Sequence, residues 1–345
     1  MLTIGIPSIT PRELVDLLDS PYSDDQLAAG VHAVAVHLLG SEASDLLAGR
    51  RDAGSLPLVV VGVVAPQQRT ARGPGEAPAV FDVVLDDDDP RLDVVLRTIT
   101  SRPMASTSLA LLLRGSAHLS VEHALAAESA VYSTLQSGSE FAAWRAENTR
   151  KAPVLDPGPP VIGEREGDTL HITLDRPARH NAFSRAMRDG LSELLALAVA
   201  DDTIRHVALA GNGPSFCSGG DLAEFGSFSD PANAHITRLA RSPARLMHLL
   251  DDRTRVQLHG ACMGAGIELA AFAAHVTAHP DATIALPEID LGLVPGAGGT
   301  VSITRRIGRQ RCALLALGGP ITATTALAWG LVDELSPTKA TASRP

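Results

Sequence analysis

Ten residues near the middle of the chain, APVLDPGPPV at 152–161, hold four prolines and a glycine. Proline locks φ and lacks a backbone N–H, so this stretch cannot continue a helix and reads as an extended linker. It divides the 345 residues into two parts, 1–150 and 161–345, each long enough to bury a core. Before the linker, TPRELVDLLDS opens with Thr10 as an N-cap, Pro11 in the first turn and Glu13 as the capping-box acid. Helices are expected over 10–50, strands at LPLVVVGVV (56–64) and FDVVL (81–85), and a loop at 67–78. Residues 91–149 read as helices interrupted near Arg102-Pro103 and Gly115. The run Asp86–Asp89 lacks alternating oxygen-ligand spacing, and reads as a solvated turn or helix N-terminus rather than a metal site.

After the linker the pattern alternates. LHITLDRP (170–177) is a strand, Ser184 caps a helix to about residue 201, IRHVALAGNG (204–213) is a strand ending in a turn, and VQLHG leads through glycines into a helix from Ala265. Strand, helix, strand, helix builds an α/β layered core, whose ligands gather at the turns after the strands.

Composition narrows the function. Acids outnumber bases 39 to 29, mostly in the first 150 residues, and neither a basic stripe nor an aromatic platform is present, so no nucleic-acid partner is expected. Cys217, Cys262 and Cys312 lack zinc or CxxC spacing, which fits a reduced, cytoplasmic protein without a metal. The N-terminus shows no signal peptide, and the quietest stretch, Gly260 to Ala278, is broken by Glu268 and His275, so no membrane span is expected.

Nucleotide motifs fail on chemistry. GACMGAG (260–266) imitates a dehydrogenase turn, but Tyr22 and Tyr132 are each followed at the fourth position by glutamine where lysine is needed. GAGGT (296–300) has no GK[ST] ending, and no GxSxG elbow occurs. SFCSGGDL (215–222) and MGAGIEL (263–269) are glycine turns whose backbone N–H groups could face one another as an oxyanion hole. Taken singly, each turn serves equally to let the chain bend tightly. Glu268 and Glu288 lie among apolar residues near these turns, where two carboxylates could divide acid and base work, although either alone is an ordinary partly solvated glutamate.

The four segments LDRPARHNAFSRAM, GNGPSFCSGGDL, GACMGAGIELA and PEIDLGLVPGAGGTVSITRRIG, in that order, resemble the crotonase (enoyl-CoA hydratase/isomerase) superfamily over residues 161–335. The resemblance implies an α/β, crotonase-like ββα spiral core at 161–345, with 1–150 as a mixed α/β and helical extension. It implies an acyl-CoA substrate, no cofactor beyond the CoA of that thioester, and a homo-oligomer, trimeric or hexameric. By the same resemblance the amides of Gly220 and Ala265 hold the thioester oxygen. Arg179, Asn181 and Ala182, with Ser218, Gly219, Gly220, Asp221 and Leu222, line the CoA channel. Glu268 and Glu288 match the paired glutamates of the hydratases, one activating water and the other protonating the α-carbon. Isomerase, thioester hydrolase, decarboxylase and cofactor-free oxygenase chemistry remain alternatives within the family, and a slow CoA-binding scaffold is the alternative outside it.

Relatives continue beyond AWGLVDEL (328–335) in helices that cover CoA, whereas here ten residues follow. Residues 81–144 resemble that tail, so that either its role has moved to the N-terminal side, as in a circular permutation, or a degenerate second crotonase unit lies there; an unrelated helical domain with common bundle patterning is the alternative. Arg114 is then the nearest substitute for the tail's usual CoA-phosphate lysine. His259 reads as a structural residue, Cys217 and Cys262 as pocket wall, and Tyr132, Phe141 and Trp144 as a packing cluster.

Overall fold

The computed structural model describes residues 5–21, 30–38, 47, 53–54, 56–65, 78–116, 118–148, 158–227 and 230–338. The loop read at 67–78 and the linker read at 152–161 lie largely outside the described residues.

The first part is a parallel four-stranded sheet in the order β1 (Ser8–Ile9), β2 (Ala33–Leu38), β3 (Val59–Val64), β4 (Val83–Asp86). Helix α1 (Pro11–Asp19) starts on the capping box read in the sequence, with Thr10 and Glu13 satisfying each other's amides. The expectation of helices throughout 10–50 is corrected at 33–38, which is a strand. Its Ala33, Val34, Ala35 and Val36 are all buried, and an apolar run covered on both faces carries neither a helical nor an alternating signature. Asp89 caps α2 (Pro90–Ser101), so the acidic run ends as a helix N-terminus. Then follow α3 (Pro103–Ser116), α4 (Val121–Gln136) and α5 (Ser139–Glu147). The break at Arg102 falls where proline demands it, but α3 runs through Gly115.

Arg114 is not a phosphate ligand. It is buried in an ion pair with Asp82, Nε to Oδ1 at 2.9 Å and Nη2 to Oδ2 at 2.5 Å, and it donates to the carbonyls of Leu56 and Leu58. Asp82 also accepts from the Val60 amide, so the pair ties α3 to two strands of the sheet. Removing Arg114 leaves the buried Asp82 with Arg309, at 3.3 Å, as its one remaining described cation, and the carbonyls of Leu56 and Leu58 without their donor. The Arg114→Met variant is therefore expected to lose about 3–5 kcal/mol of stability, read as a lower denaturation midpoint in urea; a shift of under about 1 kcal/mol would make the pair no better than a surface contact.

The second part is a six-stranded sheet, with β5 (Val161–Glu166) and β6 (Thr169–Leu174) antiparallel. From β6 it continues in parallel through β7 (His206–Gly211), β8 (Thr254–Leu258), β10 (His275–Ala278) and β13 (Glu334–Leu335). A small sheet of β9 (Ala261–Met263), β11 (Thr283–Ala285) and β12 (Ile321–Thr322) lies alongside in the order β12, β11, β9. Between the strands run α6 (Arg185–Ala200), capped by Ser184, then α7 (Pro231–Ala240) and α8 (Pro243–Leu249). The short α9 (Ala265–Ala270), α10 (Gly299–Ile307), α11 (Arg309–Leu317) and α12 (Ala323–Trp329) complete the set.

One hydrophobic cluster passes through both parts. Val95, Leu109, Leu125 and Phe141 share it with Leu258, Ile267, Ile303 and Leu315. Helix α11 packs on α2, α3 and β4, while α4 packs on α7, α8 and α10. The Arg102 guanidinium also reaches the Asp290 carbonyl at 3.0 Å. Helices preceding the proline-rich stretch thus cover the elements that follow it.

Candidate active site

Two stitched turns make one wall. The amides of Ser218 and Asp221 donate to the carbonyls of His180 and Phe183, and the Phe183 amide donates to Gly219 at 2.7 Å. The buried Arg176–Asp221 ion pair, 3.0 Å, fastens the same turns. Between them the Gly220 amide donates to no described residue. The second turn follows β9, where the amides of Met263 and Gly264 are taken by the carbonyls of Cys217 and Ala285, and that of Ala265, first in α9, again has no described acceptor. Gly220 and Ala265 both line a cavity of about 220 Å³ that Glu268 and Glu288 also line. Gly264 between them is obligatory: its φ is +48°, and a Cβ there would stand 2.2 Å from Glu288 Oε1.

Glu268 projects from α9 into a loop of amides. Its Oε2 accepts from Ala297 at 2.7 Å and from Gly299 at 2.9 Å. The intervening amides belong to a third carboxylate. Glu128, on α4, accepts from Gly298 at 2.7 Å, and from the Thr300 amide at 2.9 Å and hydroxyl at 2.6 Å. Residues 297–300 therefore donate alternately to Glu268 and Glu128, and the position of one carboxylate is tied to that of the other. Glu288 sits in the short turn Pro287–Leu291, buried, and its Oε2 has no hydrogen-bond partner among the described residues.

Burial and mutual repulsion work against charging all three carboxylates around this cavity. Burial pushes Glu268 up to about 7 against the opposing pull of its amide donors. Burial, helped by the Glu268 charge, pushes Glu128 up to about 8. Burial and the same Glu268 charge raise Glu288 well above the ordinary carboxylate range. Glu268 and Glu128 each accept backbone amides that favour their ionised forms, whereas Glu288 Oε2 has no such donor among the described residues.

Of the residues expected along a CoA channel, only Gly220 and Asp221 reach this cavity. The Asn181 side chain is wholly buried and is engaged with the backbone at Arg176, Asn212 and Ser215, so it braces the turn. Leu222 is 57% exposed, while Arg179, Ala182, Ser218 and Gly219 lie outside the cavity wall. Cys217 and Cys262 are buried beside it, and burial raises both thiols far from ionisation at neutral pH. His259 bonds the Gly213 carbonyl at 3.0 Å, a structural contact. Sequence reasoning missed Glu128 and gave Tyr132 to a packing cluster, yet both line the cavity. The signal was the stripe Val121, Leu125, Glu128, Tyr132 along one face of α4, where a lone carboxylate falls in line with apolar residues. Among the described residues no His, Cys, Asp and Glu group forms a metal site, and no helix is long and apolar enough to cross a membrane.

Comparison with known proteins gives the family. Residues 164–344 match the family model described as enoyl-CoA hydratase/isomerase, and the chain belongs to that family. It is 35% identical over 182 residues to 2,3-dehydroadipyl-CoA hydratase of Escherichia coli, covering 52% of this chain and 71% of that protein. It is 34% identical over 177 residues to an enoyl-CoA isomerase/hydratase of Mycosarcoma maydis, covering 48% of this chain and 65% of the relative. Against the solved enoyl-CoA hydratase of Thermoplasma volcanium the identity is 35% and the TM-score 0.47, over 52% of this chain and 73% of that one. The chain spans about two thirds of the length of the curated relatives it matches.

Proposed function

We propose that the chain adds water across the 2,3 double bond of a 2-enoyl-CoA. The observation that carries this reading is the pair Glu268 and Glu288, differently solvated by donors, in one cavity with the unengaged amides of Gly220 and Ala265. In the proposed step Glu268 takes a proton from water as its oxygen bonds to C3. The electron pair of the double bond moves onto the thioester oxygen, where the two amides stabilise it. The enolate then collapses and C2 takes the proton of Glu288. The 179–182 and 218–222 turns would carry the CoA portion outside the cavity, through their backbone and the Asp221 side of the wall. Isomerisation and decarboxylation share the enolate, and thioester hydrolysis shares only the negative thioester oxygen, in a tetrahedral intermediate; none of the three needs both a base for water at C3 and a separate acid for C2. Assembly as a trimer or hexamer goes with this reading.

Incubation with crotonyl-CoA in ¹⁸O-labelled water tests it. The expected product is a 3-hydroxyacyl-CoA carrying the label at C3; free CoA, a shifted double bond or loss of carbon dioxide would assign another branch. The pH profile of kcat/KM is expected to be a bell, rising through about pH 7 as Glu268 ionises and falling at higher pH as Glu288 loses its proton. Stability moves one way over the same range. The three carboxylates titrate at 4.5 when unfolded and higher when folded. The native state therefore binds more protons above pH 4.5, and stability falls as pH rises toward about 8. A thermal midpoint that climbs between pH 5 and 8 would contradict this.

A further inference from the structure

The cavity holds a cation that the hydration step does not use. Arg238, on α7, lines it beside Glu128 and Tyr132, with its guanidinium carbon 4.6 Å from the centre of the Tyr132 ring. Its nitrogens donate to neutral groups on α4: Nε to the Ser129 hydroxyl at 3.1 Å, and Nη2 to the Ser129 carbonyl at 3.3 Å and the Ser133 hydroxyl. Nη1 donates to none of the described residues, and no described carboxylate lies within ion-pairing distance, about 4 Å. Its neighbours on the wall differ. Arg188 and Arg241 share Asp189, at 2.8 and 3.0 Å. Burial acts against the Arg238 charge while Tyr132 and Glu128 favour it through space, and since a guanidinium does not give up its proton in a protein, the site carries a half-buried positive charge that no described carboxylate pairs directly.

Its place relative to the chemistry follows from Tyr132. The edge of that ring lies against Gly296, where a Cβ would come within 2.4 Å of Tyr132 Cδ2. The next residue, Ala297, supplies an amide to Glu268. Arg238 is thus one aromatic ring removed from the loop that holds the base. A cavity of about 220 Å³ has room for an acyl chain and its thioester, but not for a nucleotide.

We propose that Arg238 is an anion subsite for the far end of the acyl chain, so that the preferred substrates are 2-enoyl-CoA esters ending in a carboxylate. This rests on the acyl-CoA reading above. A CoA phosphate offers a guanidinium the same oxygens, but phosphates are strongly hydrated and belong at an open surface, whereas Arg238 is stacked inside the cavity on an aromatic ring.

Unreactive, saturated ligands separate the subsite from the chemistry. Calorimetry with adipyl-CoA and hexanoyl-CoA is expected to show the wild type binding the carboxylate-bearing ester about 10- to 100-fold more tightly. That ratio should collapse toward one in Arg238→Gln and be partly restored in Arg238→Lys, which keeps the charge without the fork. A wild type without preference between the two esters overturns the proposal, whether or not the variants fold. So does an Arg238→Gln variant that weakens both esters and free CoA alike, with 3′-dephospho-CoA insensitive to the change, because the guanidinium then serves a CoA phosphate. Should the enzyme hydrate no enoyl-CoA while the adipyl preference persists, the hydration reading fails and the subsite stands.

Discussion

Glu268→Gln and Glu288→Gln are each expected to keep the fold and to lower turnover of 2-enoyl-CoA by about 10²- to 10⁴-fold, the usual contribution of a positioned acid or base. The fold survives because the site already penalises charge at these positions. Glutamine is the neutral isostere, and in Glu268→Gln its carbonyl can still accept the amides of Ala297 and Gly299. The variants should even resist heat better than the wild type at pH 8, where the native protein is forced to ionise buried carboxylates. The two losses differ in their pH signature. Without the base the acid limb of the profile disappears, and without the acid the alkaline limb does. Wild-type turnover in both variants would remove these residues from the reaction.

The second large effect concerns the segment before the linker. A chain beginning at residue 158 is expected to be insoluble or inactive. It lacks α3 and α4 with their buried Leu109, Leu113 and Leu125, which pack on α10 and α11, and α5 with Phe141, which packs on the Pro287–Leu291 turn, so the apolar faces beneath them meet water. It also lacks Glu128, which leaves the amides of Gly298 and Thr300 and the Thr300 hydroxyl without their acceptor. Each orphaned donor costs about 1–3 kcal/mol, at the loop that orients Glu268. Glu128→Ala in the full chain isolates the second effect, and should lower kcat at least about tenfold with the chain still folded by circular dichroism. A soluble, fully active 158–345 fragment would show that the earlier helices are an independent appendage.

How much of this could be read from residue types depends on whether the partners are near in sequence. The turns at 215–222 and 263–269 and the glutamates at 268 and 288 belong to continuous segments, and the structure brings Gly220, Ala265, Glu268 and Glu288 to one cavity. The strands β6 and β7 and helix α6 follow their hydrophobic periods because each has one wetter and one dry face, whereas α9 is buried on every side. The strand at 33–38 did not show itself: it is covered on both faces like β3, but it carries two alanines and a histidine where β3 is five valines and a glycine. Arg114 looked available because its acid, Asp82, is 32 residues away and belongs to a different element. Asn181 looked like a channel residue, but its amide is absorbed by the backbone of the turn it sits in. Glu128 and Arg238 were the hardest to read: their roles exist only where α4, α7 and the 296–300 loop meet, a junction that no short motif spells.

The alternation of amides along 297–300 also bears on how the molecule is made. Glu128 and Gly298 are 170 positions apart, and ribosomes add about 5–20 residues each second. The early helices therefore emerge on the order of ten seconds or more before the amides that will neutralise the carboxylate between them. During that interval Glu128 is a hydrated, charged carboxylate on an otherwise apolar stripe, and burying the stripe against a partner without donors would cost the desolvation of that charge. In the folded chain the 297–300 loop gives that carboxylate three donors, so burial of the stripe and satisfaction of its acid come together only once residues 298 and 300 have been made.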